Sequence, residues 1–149
     1  MSNRFEDARR SGTLDIETSN QIGQGLLPGF MGIEFTDLTP QRTEAFIEVQ
    51  PHHLNPSGFL HGGTIISLAD TIAGYASVLN LPKGASGFTT IELKTNFLAS
   101  AKDGKIFGCG TPVHLGRNTQ VWDVRIWREA DNKTIAHFRC TQMVLWPKA

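Results

Sequence analysis

At 149 residues, with 40% hydrophobic and 19% charged content, the chain has the size and composition of one globular domain that buries a core without staples. Fourteen basic residues balance fourteen acidic ones, which removes the general attraction that a nucleic-acid partner requires. Arg4, Glu6, Asp7, Arg9, Arg10, Asp15 and Glu17 break up the leader, so no signal-peptide core is expected there. The simplest expectation is a cytoplasmic protein with no membrane partner. Cys109 and Cys140 have neither metal nor redox-motif spacing and are expected to be reduced thiols in strands or core.

Residues 1–30 form a weakly patterned leader, in which Gln21 to Gly29, with three glycines and a proline, predicts a short helix ending in a turn. Residues 31–149 carry the domain. Thr43 to Val49 alternates Ala45, Ile47 and Val49 against Glu44 and Glu48, and Gly32 to Leu38 is expected to pair with it across Thr39 to Arg42. Thr64 to Leu79 is an apolar helical stretch, interrupted by Ser67, Asp70 and Thr71 and too short on this reading to span a membrane. After a loop from Leu81 to Gly87, Thr89 to Phe97 alternates Thr89, Ile91, Leu93, Thr95 and Phe97 against Thr90, Glu92, Lys94 and Asn96. Lys105 to Leu115, Thr119 to Trp127 and Thr134 to Leu145 follow as strands. Gly116-Arg117-Asn118 and Asp131-Asn132-Lys133 are the turns between them, so the tail is an antiparallel meander. A helix with apolar residues all round must be covered by the sheet, which predicts an α+β fold with an antiparallel sheet wrapped around one long central helix.

The most informative stretch is Asn55-Pro56-Ser57-Gly58-Phe59-Leu60-His61-Gly62-Gly63. It runs directly into the apolar helix. Two glycines at a helix start let another molecule approach unpaired N–H groups at the positive end of the helix dipole, a place that holds developing negative charge. Asp70 lies among apolar helix neighbours, where a carboxylate is costly unless used or paired. His52, His53 and His61 lack a carboxylate or cysteine at ligand spacing, so no metal is expected. Ser57 lacks the flanking glycines of a serine-hydrolase elbow.

The element order, with Asn55, Gly58, His61, Gly62, Gly63 and Asp70 at this spacing, resembles the hotdog fold, specifically acyl-CoA thioesterases of the phenylacetic acid degradation type. The resemblance spans roughly Gly32 to Leu145. It implies thioester hydrolysis at sites shared across a two-fold interface, with the amide from one chain and the acid from its neighbour. It also places Thr90 beside Asp70. No cofactor is expected, because coenzyme A arrives as part of the substrate.

Helix geometry leads to the same shared site independently. Gly63 and Asp70 are seven residues apart, about 10 Å along one axis, so one chain cannot bring both to a single carbonyl. A homodimer is expected, with pairing of dimers into a tetramer as a further option. The Gly63 N–H would polarise the carbonyl, and Asp70 would act as nucleophile or general base. Asn55 is suited to orient water or carboxylate, and His61 to fix the helix start. Gly62 allows close approach. Arg117 is either a solvated turn charge or a partner for a coenzyme A phosphate. Leu26, Leu27, Phe30, Phe59 and Tyr75 are candidates to line the acyl pocket. Two other uses of such a chain remain open: a non-catalytic acyl-CoA binding module, and a hydratase or dehydratase working through a His and acid pair.

Overall fold

The structure, a computed structural model, describes residues 4–147. Three short helices, α1 (Arg4–Ser11), α2 (Ile16–Ile22) and α3 (Leu27–Phe30), precede the hairpin β1 (Glu34–Leu38) and β2 (Thr43–Glu48). A single 3-10 turn, Pro51–His53, leads to α4 (Gly62–Leu79). The chain ends in β3 (Gly87–Phe97), β4 (Lys105–Leu115), β5 (Thr119–Arg128) and β6 (Thr134–Leu145). The leader is more ordered than its weak pattern implied. Asp15 starts α2 by accepting a hydrogen bond from the Thr18 N–H at 2.8 Å, so this helix begins well before Gln21.

One antiparallel sheet has the strand order β1-β2-β4-β5-β6-β3. Strands β4, β5 and β6 form the expected meander, and β3 joins it at the far edge beside β6. The helix lies across the sheet, with Leu68, Ile72, Ile106, Trp122, Ile126 and Phe138 in the core between them. Close approach explains a glycine here: a Cβ on Gly108 would stand 2.5 Å from Ile72 Cδ1.

Two features differ from the alternation in the sequence. In β3 the register shifts between Thr90 and Glu92, so Ile91 is bulged. Phe88, Thr90, Leu93, Thr95 and Phe97 pair with the helix-side residues Val144, Gln142, Cys140, Phe138 and Ala136, and Thr89 falls on the opposite face. The second difference is in α4, which a single chain does not wrap completely. Ser67, Asp70, Thr71 and Gly74 remain partly exposed beside β3. By length and composition this helix could cross a membrane, but it is the core helix of the sheet.

The two edges of the sheet are treated differently. On β1, Asn20 of α2 acts as a false strand: the Phe35 N–H donates to Asn20 Oδ1 at 2.8 Å, and Asn20 Nδ2 donates back to the Phe35 carbonyl at 3.5 Å. The β3 edge carries Ile91, Leu93 and Phe97, exposed by 54%, 40% and 52%. An apolar open edge beside a blocked one marks where a further strand can add. Asn20→Ala removes both bonds and leaves the β1 amide exposed. It is expected to lower stability by about 1–2 kcal/mol, read from the denaturant midpoint.

Candidate active site

The start of α4 is built from below by the 3-10 turn. The buried His53 carbonyl accepts the His61 N–H at 2.9 Å and the Thr64 hydroxyl at 3.0 Å, which pins both sides of the helix entrance. Burial, then the neighbouring His52, pushes the His53 imidazole below its usual range and keeps it neutral. His61 is the N-cap residue, and its Nδ1 accepts the Gly63 N–H at 2.8 Å.

That bond corrects the expected oxyanion donor. The Gly63 amide is committed to the His61 ring, whereas the amide of Gly62, the first helical residue, has no acceptor among the described residues. Both glycines are explained by close approach. A Cβ on Gly63 would meet His61 Nδ1 at 2.9 Å, and one on Gly62 would meet the Phe97 ring at 3.1 Å. An acceptor at Nδ1 also leaves His61 with its hydrogen on Nε2.

Gly62 lines a cavity of about 380 Å³ together with Asn55, Phe59, Ile65 and Phe97. Asn55 Oδ1 accepts the Ser57 N–H at 2.9 Å and the Phe59 N–H at 3.3 Å, so the loop takes its oxygen and leaves Nδ2 as the available donor. Phe97 did not stand out in the sequence because it resembled any apolar strand residue. Its half-exposed ring against a helix-start glycine is the signal that sets it apart.

Asp70 lies further along α4, beside Thr90 of β3. Burial raises its carboxyl above the usual range and the Thr90 hydroxyl opposes that shift, while Oδ1 has no hydrogen-bond partner. The bulge at Ile91 turns Thr90 rather than Thr89 toward the helix.

Tyr75 and Arg117 lie apart from the Gly62 cavity of their own chain. Tyr75 is buried between Phe5 and Phe35 at ring separations of 4.4 Å, and its hydroxyl donates to the Ser19 carbonyl at 3.2 Å. It ties the leader helices to α4. Arg117 stacks over Trp146 at 4.8 Å, in the turn that leads into β5, whose second residue Gln120 donates to the Asn80 carbonyl at the C-terminal end of α4. It therefore sits at the end of its own chain away from Gly62. Leu26, Leu27 and Phe30 are exposed, and the Phe30 ring lies 5.2 Å from His52.

Residues 57–135 match the Thioesterase superfamily. The chain is 33% identical over 116 residues to the 1,4-dihydroxy-2-naphthoyl-CoA hydrolase of Escherichia coli (strain K12), covering 78% of this chain and 85% of that protein. Its structure is similar to that of thioesterase HI1161 from Haemophilus influenzae, with a TM-score of 0.83, 33% identity and coverage of 89% and 92%. It is also similar to a hypothetical thioesterase from Streptococcus pneumoniae TIGR4 solved with coenzyme A, with a TM-score of 0.69, 26% identity and coverage of 78% and 88%. A six-stranded antiparallel sheet over one central helix, with these relatives, defines a hotdog thioesterase, and the chain belongs to the thioesterase superfamily.

Proposed function

We propose that this protein hydrolyses aromatic or medium-chain acyl-CoA thioesters in the cytoplasm, at sites shared between two copies of the chain. The observation that carries this reading is the free Gly62 amide at the positive end of α4, beside an apolar cavity, with a desolvated carboxylate on the same helix. The thioester oxygen accepts from the Gly62 N–H and from Asn55 Nδ2. Asp70 of the partner subunit, in its ionised form, attacks the carbonyl or takes a proton from the water that does. In the water route, the new C–O bond forms as the C–S bond breaks, and the proton held by Asp70 passes to the leaving thiolate.

The open β3 edge, apolar at Ile91, Leu93 and Phe97, supports the shared site, because a second copy of the chain can add its own edge there. The cavity at Gly62 also adjoins a second one of about 560 Å³ through Phe59 and Ser100. Lys102 and Lys105 line that second cavity, with the Lys102 ammonium 4.6 Å from the centre of the Phe59 ring. Asp103, Glu129 and Asp131 share that lining, so the Lys102 ammonium beside Phe59 is the group there, with Arg117 the other, that suits a phosphate of coenzyme A. His61, with Nδ1 engaged by Gly63, supports hydrolysis over a hydratase, which needs a histidine free to carry protons.

Coenzyme A release from phenylacetyl-, benzoyl-, hexanoyl- and octanoyl-CoA tests the reading. Turnover of at least one is expected, and the fastest indicates the acyl class. Tight binding of all four without release would move the protein to a binding module.

A further inference from the structure

Asp70 occupies a layer between α4, β3 and β6 that holds more hydrogen-bonding atoms than bonds. Thr90 of β3 reaches its carboxyl, and Cys140 of β6 lies close enough to feel its charge. Gln142 neighbours both. It is the direct partner of Thr90 across the β3–β6 ladder, and it follows Cys140 by two residues, on the same face of β6. Gln142 and Cys140 are both fully buried.

Gln142 Nε2 lies 3.4 Å from Cys140 Sγ, while Gln142 Oε1 and Asp70 Oδ1 both lack a partner. Burial, with the charge of Asp70 beside it, pushes the Cys140 thiol up to about 12, so it keeps its hydrogen. Two orphaned acceptors therefore stand near a thiol donor and an amide whose two ends have the same shape. Turning the amide over puts Oε1 against the thiol and aims Nε2 where the orphaned Oε1 now stands, in the layer that holds Thr90 and Asp70.

We infer that Gln142 is a positioning residue for the attacking carboxylate: Cys140 S–H donates to Gln142 Oε1, and Gln142 Nε2–H donates to Asp70 Oδ1. The link fixes one carboxylate oxygen and leaves Oδ2 to face the reaction. It rests on the reading of Asp70 as the attacking group. Apart from Cys140, the charged and titratable residues of the packed strands, Glu92, Lys94, His137 and Arg139, with Asp123 and Arg125 of β5 behind them, lie on the outer sheet face, and α4 adds only Tyr75, which is held between Phe5 and Phe35. Gln142 is thus the group placed to favour the ionised form of Asp70 together with Thr90.

A donor to the carboxylate holds its pKa down, so Gln142→Met, of similar length but without a donor, raises it. The Asp70 carboxyl midpoint, followed by ¹³C NMR of labelled unliganded protein, is expected to rise by about one pH unit in Gln142→Met, a tenfold fall in the ionisation constant. The acid limb of kcat/KM moves with it. Cys140→Ser keeps a donor and retains the wild-type midpoint. A midpoint in Gln142→Met that stays put or falls overturns the inference, a fall meaning that the amide turns its oxygen to Asp70. Should that variant not fold, the side-chain amide of Gln142 in the wild type must titrate with the Asp70 midpoint, and an amide that does not respond overturns the inference equally. The NMR midpoint is read without turnover, so its failure is separate from failure of the thioesterase reading.

Discussion

Asp70→Asn is expected to abolish most activity while making the protein more stable. Loss of an attacking or proton-accepting carboxylate removes about 10² to 10⁴ in rate. Stability moves the other way because burial raises the carboxyl above its ordinary value of 3.8, so folding disfavours the charged form. For a group raised in this way, the stability it contributes is full below that ordinary value and is lost as pH rises through the folded-state value. At neutral pH the wild type carries this penalty and the neutral Asn does not. The variant should therefore melt higher at pH 7, and the difference should shrink on acidification below the ordinary carboxylate range. Melting midpoints of both proteins across pH, with kcat/KM from coenzyme A release, check the pair of effects. A variant that is inactive but less stable at pH 7 would make Asp70 a structural anchor, and one with wild-type turnover would remove it from the reaction.

The same balance explains why so much of the site was visible in the residues. Strands with one buried face must alternate, so β2 and the meander were legible from Ala45 to Val49 and from Lys105 onward. A carboxylate in an apolar helix contradicts its surroundings, which is why Asp70 stood out. The phase of β3 was not legible, because the bulge at Ile91 carries no glycine to announce it, and a one-residue shift exchanges faces. The leader was hidden for a different reason. Its helices are held by distant contacts, Tyr75 to Ser19 and Asn20 to Phe35, that no local period encodes.

The choice between the two glycines shows the limit most sharply. Both satisfy the requirement for backbone access, and helix position alone makes each amide an unpaired donor. What separates them is the side chain of His61, which folds back as an N-cap although histidine is not among the residues favoured there. Arg117 shows a related limit. Its type suits phosphate, but where a turn lies relative to the site is set by the order of strands in the sheet.

Gly62→Pro isolates the amide with one change of bonding. Proline lacks the N–H, and Gly62 is the first residue of α4, the helical position that tolerates proline best. The residue before it, His61, already has φ −71 and ψ 139, the extended conformation that a following proline demands. The new ring meets Phe97, which is half-exposed and has room to turn. The fold should therefore persist while kcat falls by about 10² to 10³, the loss typical of one oxyanion donor. The paired variant Asp70→Asn turns this into a test of where the site lies. In the shared arrangement, a mixed dimer joins an intact Gly62 from one chain to an intact Asp70 from the other. Equal amounts of the two variants, allowed to exchange subunits, should recover about one quarter of wild-type activity, since half the dimers are mixed and each has one sound site of two. Sites confined to single chains would recover nothing on mixing, because every chain carries one lesion.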